Sequence, residues 1–569
     1  MTVNVFPPST LILLTTAVIM VAYFPSESPT TKTTSTSNPT TASVVTTCGT
    51  VHGKISETSR KKEILEFFNI PFAAPPVDSG RFRPPEIYNK ARQWNSDVDG
   101  TKYREIVCPQ PSPQNGTAIG TEDCLYLTVR TTDLSAAKSV IVWIHGGRFI
   151  HGYCCQPGYS FDNDLTETLE AVTVNINYRL GFLGFSSISE LWDKEKGEYA
   201  NNGIRDQIAA LQWIQENISQ FGGDPNSVTI IGESAGGTSV LALLSSPLAA
   251  GLFRQAVALS PGPEQRFNHK HGDFFQKHAW NVLENVGCDK VDDIRECLVK
   301  VPARDLLQKE GSIVKNQGKL SPSRLAYFRF PRSQGLSQDI GGYIITDLTV
   351  FPQNLRHLRN AKNIDPGYKV KVIVSNTAQE TYCTVRKNPH LAVTSHEAVH
   401  KTLSVLFPKI TSDSKIMDKV AELYGHLSPQ FLWDTLLTDM RSTCPTNEVT
   451  EAMSISKHHD VYRLFIDYNM EIPDRIPAYH VFDTDVLFGF VGFDRSTLDK
   501  RDWTLRAILI QILKDFSRGI TRNGWKEFPE STMVLGNDEN IASIFTDRPH
   551  MRNCEVLQKA NLTKYGWQN

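Results

Sequence analysis

The chain has almost no net charge. Lys and Arg number 59 against 61 Asp and Glu, which leaves −2 at pH 7 over 569 residues. There is no basic excess to hold nucleic acid and no acidic run to form a solvated tail. No internal repeat is present. Charge is missing altogether from the side chains of residues 1–24, and aromatic rings are missing from residues 109–123 (PQPSPQNGTAIGTED). The tail Asn561 to Asn569 is polar, with neither a Lys-Asp-Glu-Leu-like ending nor a lipid-anchor run.

What is present at the N-terminus reads as targeting. Leu11 to Phe24 is one apolar run, long enough for the core of a secretory signal and short for a membrane span. The missing Lys or Arg ahead of it leaves a signal anchor as the competing reading. From Ser26 to Thr47, 14 of 22 residues are Ser or Thr, so the segment has little to bury and is expected to be disordered, as an O-glycosylated stalk or a plain linker. The expected layout is a signal peptide or anchor over 1–25, a Ser/Thr/Pro-rich stalk over 26–43 and one folded domain over 44–569. Three Asn-x-Ser/Thr sequons, at Asn115, Asn217 and Asn561, are glycosylation candidates. Ten cysteines could pair in an oxidising compartment. The expected location is therefore secreted, or N-terminally anchored in the secretory pathway if the leader is not cleaved; only in that case does a membrane become a partner.

The chemistry gathers at Val228 to Gly237 (VTIIGESAGG). Val-Thr-Ile-Ile is β-branched and too short for a helix, so it predicts a buried strand. Gly-x-Ser-x-Gly follows, and Thr238 to Leu244 then reads as a helix start. Strand, glycine-flanked serine and helix make the context of a nucleophile elbow. The tight turn exposes the Ser234 hydroxyl and aims the Ala235 N–H and a helix N-terminus at a developing oxyanion.

Around this stretch, strands and helices alternate. Ser139 to His145, Val172 to Tyr178, Gln255 to Leu259 and Val370 to Val374 read as strands; Ile204 to Gln215 and Leu505 to Phe516 read as helices. Strands with helical crossovers predict an α/β fold with a large, mostly parallel sheet covered on both faces. Functional groups then sit at the C-terminal ends of the strands.

The ordered motifs Glu122-Asp123-Cys124-Leu125-Tyr126-Leu127, Val142 to Gly147 (VWIHGG), Asn177 to Gly181 (NYRLG), Asn202 to Gln207 (NGIRDQ), Phe221 to Pro225 (FGGDP) and Gly232 to Gly237 (GESAGG) resemble the type-B carboxylesterase family of α/β-hydrolases over about residues 44–560. The resemblance implies the α/β-hydrolase fold and an acyl-serine ester hydrolase with a Ser-Glu-His triad. Ser234 is then the nucleophile, Glu380 after the Val372-to-Gln379 stretch the acid, and His480, followed by Phe488-Gly489, the base. Thr381 stands where the family usually has Gly. The imidazole takes the serine proton and returns it to the leaving alcohol, while the carboxylate fixes its tautomer. Gly147, Arg148 and Ala235 are the implied oxyanion donors, with Arg148 where the family has Gly. Implied disulfides are Cys108–Cys124, Cys288–Cys297 and Cys444–Cys554; Cys48, Cys154, Cys155 and Cys383 have no family partner. Adjacent Cys154 and Cys155 do not readily pair with each other in ordinary geometry, so the four stay unassigned. No metal or cofactor is implied, and the expected partner is a small-molecule ester, with no nucleic acid. Cholinesterases hold choline on a tryptophan in the first disulfide loop; the aromatic-free 109–123 stretch argues against acetylcholine. A weak or inactive adhesion or binding relative is the alternative reading, against which stand the three retained triad positions.

Overall fold

The computed structural model describes residues 3–4, 40–112, 116–186, 188–192, 200–262, 280, 282–307, 344, 350, 369–382, 393–406, 414–456, 458–470, 476–489, 499–537, 540–560 and 562–563. The leader reading (Val3 and Asn4 apart), residues 26–39 of the proposed stalk, Asn115, Asn561 and Cys383 lie outside the described residues.

Twelve strands carry the architecture. They are β1 (Thr41–Thr46), β2 (Gly49–Glu57), β3 (Glu63–Pro71), β4 (Tyr126–Thr131), β5 (Lys138–Ile144) and β6 (Val172–Ile176). β7 (Gly223–Glu233), β8 (Gln255–Leu259), β9 (Val370–Thr377), β10 (His459–Asp467), β11 (Thr532–Gly536) and β12 (Ala542–Phe545) follow. They lie in one 14-stranded sheet in the order β12-β11-β10-β9-β8-β7-β5-β6-β4-β3-β2-β1. The seven strands from β11 to β6 run parallel, and both flanks are antiparallel. β1 begins at Thr41, inside the Ser/Thr-rich stretch and ahead of the Val44 boundary.

The period of two along each strand sorts its side chains to opposite faces. Val140, Val142, Ile144, Ile230, Val372 and Val374 face one core with the helices Asn202–Asn217 and Ala235–Leu244. Ile141, Trp143, Ile231, Val257 and Ile373 face the other with the helix Lys500–Ser517. That helix buries Leu505, Ile508, Leu509, Ile512, Leu513 and Phe516, a helical stripe, and starts at a capping box in which Asp499 accepts from the Asp502 N–H and Asp502 from the Asp499 N–H. Both sheet faces being covered explains why the parallel strands read as continuous apolar runs.

The three disulfides Cys108–Cys124, Cys288–Cys297 and Cys444–Cys554 form, while Cys48, Cys154 and Cys155 are buried thiols. Asn217 corrects a sequence expectation. Its side chain is fully buried; its amide nitrogen donates to the Trp213 carbonyl and its oxygen accepts from Thr47. A glycan on that nitrogen has no room in this fold.

Candidate active site

β7 ends at Glu233 and the next helix starts at Ala235, so Ser234 alone makes the turn. It does so at φ 55° and ψ −120°, outside the regions an L-residue favours. The turn holds because the backbone passes too close for side chains. A Cβ on Gly232 would stand 2.4 Å from Gly236, and one on Gly236 2.1 Å from the Ile144 carbonyl. The Ser234 N–H donates to Leu259 O of β8 at 3.0 Å, and Ser234 O accepts from the Thr238 N–H at 2.8 Å. The strain is thus paid by neighbouring strands and by the first turn of the helix.

The three motif residues meet at the C-terminal edge of the sheet. Ser234 Oγ lies 2.9 Å from His480 Nε2, and His480 Nδ1 lies 2.6 Å from Glu380 Oε2. With the proton on Nδ1, the ring donates to Glu380 and accepts from the serine. Glu380 is fully buried, and its other oxygen accepts the Thr377 N–H at 2.9 Å. The Gln379 N–H donates to Ala478 O at 3.0 Å, which ties the loop after β9 to the turn that carries His480.

Carboxylates crowd the imidazole. Glu233 Oε1 is 3.3 Å from Nε2. Burial alone would push the His480 pKa down, but Glu233 and Glu380 outweigh it and raise it to about 9. Burial pushes Glu233 well up, and the imidazolium is what draws it back, so those two charges stand or fall together. Asp483, on the first turn after His480, is pushed up to about 7, first by burial and then by Glu380. His145 plays a different part. Burial drops its pKa to about 4, and the neutral ring stacks on Tyr178 at 4.4 Å while the Tyr178 hydroxyl donates to the His145 carbonyl. It supports the start of the next loop.

That loop carries Gly147 at φ 106°, Arg148 at φ 60° and Phe149 at φ 59°. A Cβ on Gly147 would fall 2.0 Å from His151 O, so this position requires glycine. The Gly147 carbonyl accepts the Ile150 and His151 N–H groups. Arg148 adopts the left-handed region that a glycine takes freely, at a cost of about 1–2 kcal/mol for an L-residue. Ala235, fully buried at the helix start, is the third implied donor.

Sequence reasoning left Arg463 unremarked. This residue of β10 is fully buried behind the acid-bearing strand, and its guanidinium bonds Asn447, Asn376 and the Val374 and Leu464 carbonyls. Asn376 in turn donates to Thr377 O, next to the amide that holds Glu380. An arginine inside the apolar run Val461 to Ile466 was the available signal. Among the described residues, no cluster of His, Cys, Asp or Glu could hold a metal ion.

A central parallel sheet, a strained serine at a strand-to-helix turn, and an acid and a histidine on later strand ends make this an α/β-hydrolase. The Carboxylesterase family model matches residues 40–555. The para-nitrobenzyl esterase of Bacillus subtilis (strain 168) is 29% identical over 492 residues, which cover 85% of this chain and 89% of that protein. Esterase E4 of Myzus persicae is 38% identical over 45% of this chain and 46% of its own length. Human cocaine esterase is 41% identical over 35% of this chain and 37% of its own length. Among solved structures, a PNB esterase superposes with a TM-score of 0.69 at 26% identity, covering 90% of this chain and 99% of that one. A Geobacillus stearothermophilus carboxylesterase superposes with a TM-score of 0.72 at 22% identity, covering 90% and 99%, and attests the fold. The chain belongs to the carboxylesterase family and is a carboxylic ester hydrolase.

Proposed function

We propose that the ester is cleaved through an acyl-Ser234 intermediate. His480 Nε2 takes the serine proton as Oγ attacks the acyl carbon, and Glu380 stabilises the imidazolium through Nδ1. The developing oxyanion accepts N–H groups from Gly147, Arg148 and Ala235. Collapse expels the alcohol, which takes the proton from His480; a water then repeats the sequence and releases the acid. The reading rests on the 2.9 Å and 2.6 Å contacts that join Ser234, His480 and Glu380 in line.

Ser234→Ala should lower kcat by at least about 10⁴-fold on a para-nitrobenzyl or short acyl ester, with folding unchanged. A fluorophosphonate should label Ser234 in the unmodified protein. Failure to label, with the fold intact, would favour the inactive binding relative. The lack of an aromatic ring over 109–123 supports an uncharged alcohol group over choline. Secretion is the compartment we propose, on the N-terminal apolar run and three disulfides. Among the described residues no helix is long and apolar enough to cross a membrane.

A further inference from the structure

The segment that begins with the oxyanion loop ends in two adjacent cysteines. Cys154 Sγ and Cys155 Sγ lie 3.0 Å apart, inside ordinary contact between sulfur atoms. Both are thiols, both are buried, and neither has a place in the ester chemistry. Their backbone is pinned to the first disulfide loop. The Cys154 N–H donates to Asn177 Oδ1 at 2.7 Å, and the Asn177 amide donates to Ile106 O. Two residues earlier, Gly152 exchanges two hydrogen bonds with the Gln110 side chain, which also donates to Cys108 O.

We propose that Cys154 and Cys155 are a redox-active vicinal dithiol that closes to a cyclic disulfide and, in closing, disturbs the oxyanion turn. The second half rests on the role of Gly147 and Arg148 proposed above. The oxidant is a low-molecular-weight disulfide. The Cys155 thiolate attacks one of its sulfurs and expels one thiolate, leaving a mixed disulfide. The Cys154 thiolate then attacks the Cys155 sulfur and expels the second. The protein loses two hydrogens and the small disulfide becomes two thiols. Cys155 is the first nucleophile for two reasons. It is the more exposed, at 8% against 3% for Cys154. Its pKa is lowered by the hydrogen bond from Cys154 and by the Arg130 guanidinium, while Cys154 is raised by the same bond and by burial.

Adjacent Cα atoms are about 3.8 Å apart, below the usual disulfide span, so the ring is strained and readily reduced. Closing it must turn the peptide between the two cysteines. That movement works against the bond from the Cys154 N–H to Asn177 and, through Gly152, against the turn that presents Gly147 and Arg148.

The experiment uses the full-length protein incubated with oxidised glutathione, acid-quenched, alkylated in denaturant and digested with trypsin. Cleavage after Arg148 and Arg179 gives one peptide, Phe149 to Arg179, with Cys154 and Cys155 as its only cysteines. The expected peptide is unalkylated and lighter by two hydrogens than the dithiol form. Turnover of a simple ester should fall by about tenfold or more, in line with a misaligned oxyanion donor, and return with dithiothreitol. Cys155→Ser should make turnover indifferent to the oxidant. A peptide alkylated at both cysteines, or carrying glutathione on either, overturns the dithiol. A closed ring with unchanged turnover overturns its coupling to the site. The mass readout needs no ester chemistry, so it stands even where the assignment of Ser234 fails.

Discussion

At the scale of single residues, the site sets a strained serine against an imidazole among carboxylates. The base we propose works only when neutral, so a His480 pKa raised to about 9 predicts that kcat/KM climbs with pH well past the ordinary imidazole range. Glu233→Gln removes the carboxyl group 3.3 Å from Nε2 whose charge raises the imidazole pKa, and so favours the neutral ring. The acid limb of the pH–rate profile should then move to lower pH; an unmoved limb would mean that Glu233 does not load the histidine. Arg148 is the second test. A guanidinium aimed into the pocket would narrow it and favour small or anionic esters. On that reading Arg148→Gly, which also relieves the left-handed backbone, should raise kcat/KM for bulky neutral esters. An unchanged substrate profile would place the side chain away from the acyl site.

At the scale of elements, one buried carboxylate docks the last helix. Asp439, in a π-helical turn between the helices Pro429–Thr438 and Cys444–Ser456, accepts from Tyr424 at 2.8 Å, Asn553 at 3.0 Å and His550 at 2.6 Å. Burial opposes charge on His550, but Asp439 outweighs it and the pKa rises. The stabilisation is therefore complete below the unfolded imidazole pKa and is lost as pH rises through the folded one. His550→Gln should lower Tm more at pH 6 than at pH 9; an equal loss at both would remove the charge from the account. This turn was invisible in the sequence, because a one-residue excess in a helix leaves no periodic signal. The strand that leads into Ser234 and the helix after it were legible, since Gly-rich punctuation and a β-branched run coincide. The antiparallel β1 to β4 flank was not, because their polar edges, such as Lys54, Glu57 and Glu63, break the alternation. Nor was the Arg463 cluster, since a buried arginine in a strand is explained only by partners from β9 and the helix Cys444–Ser456.

At the scale of the whole molecule, the parallel core does two jobs. Its faces bury two apolar layers, and its C-terminal edge holds three loops close enough for the side chains to touch. Fold and site are legible together for that reason: the motifs lie where strands end, and the sheet order brings β7, β8, β9 and β10 side by side. The tight glycines at 232 and 236 also show why the motif spacing tolerates little change, since each is closed by backbone of the facing turn or strand.

The contact between Ser234 and His480 spans 246 residues of chain, and that between His480 and Glu380 spans 100. Bringing such distant segments together is expected late in folding, after local structure and collapse, because loop closure must be met before the contacts reward it. Catalytic competence is thus a clock for the completed chain. After dilution from denaturant with disulfides intact, tryptophan fluorescence should recover ahead of fluorophosphonate reactivity. Simultaneous recovery of the two would show that the distant ends are already joined when the core forms.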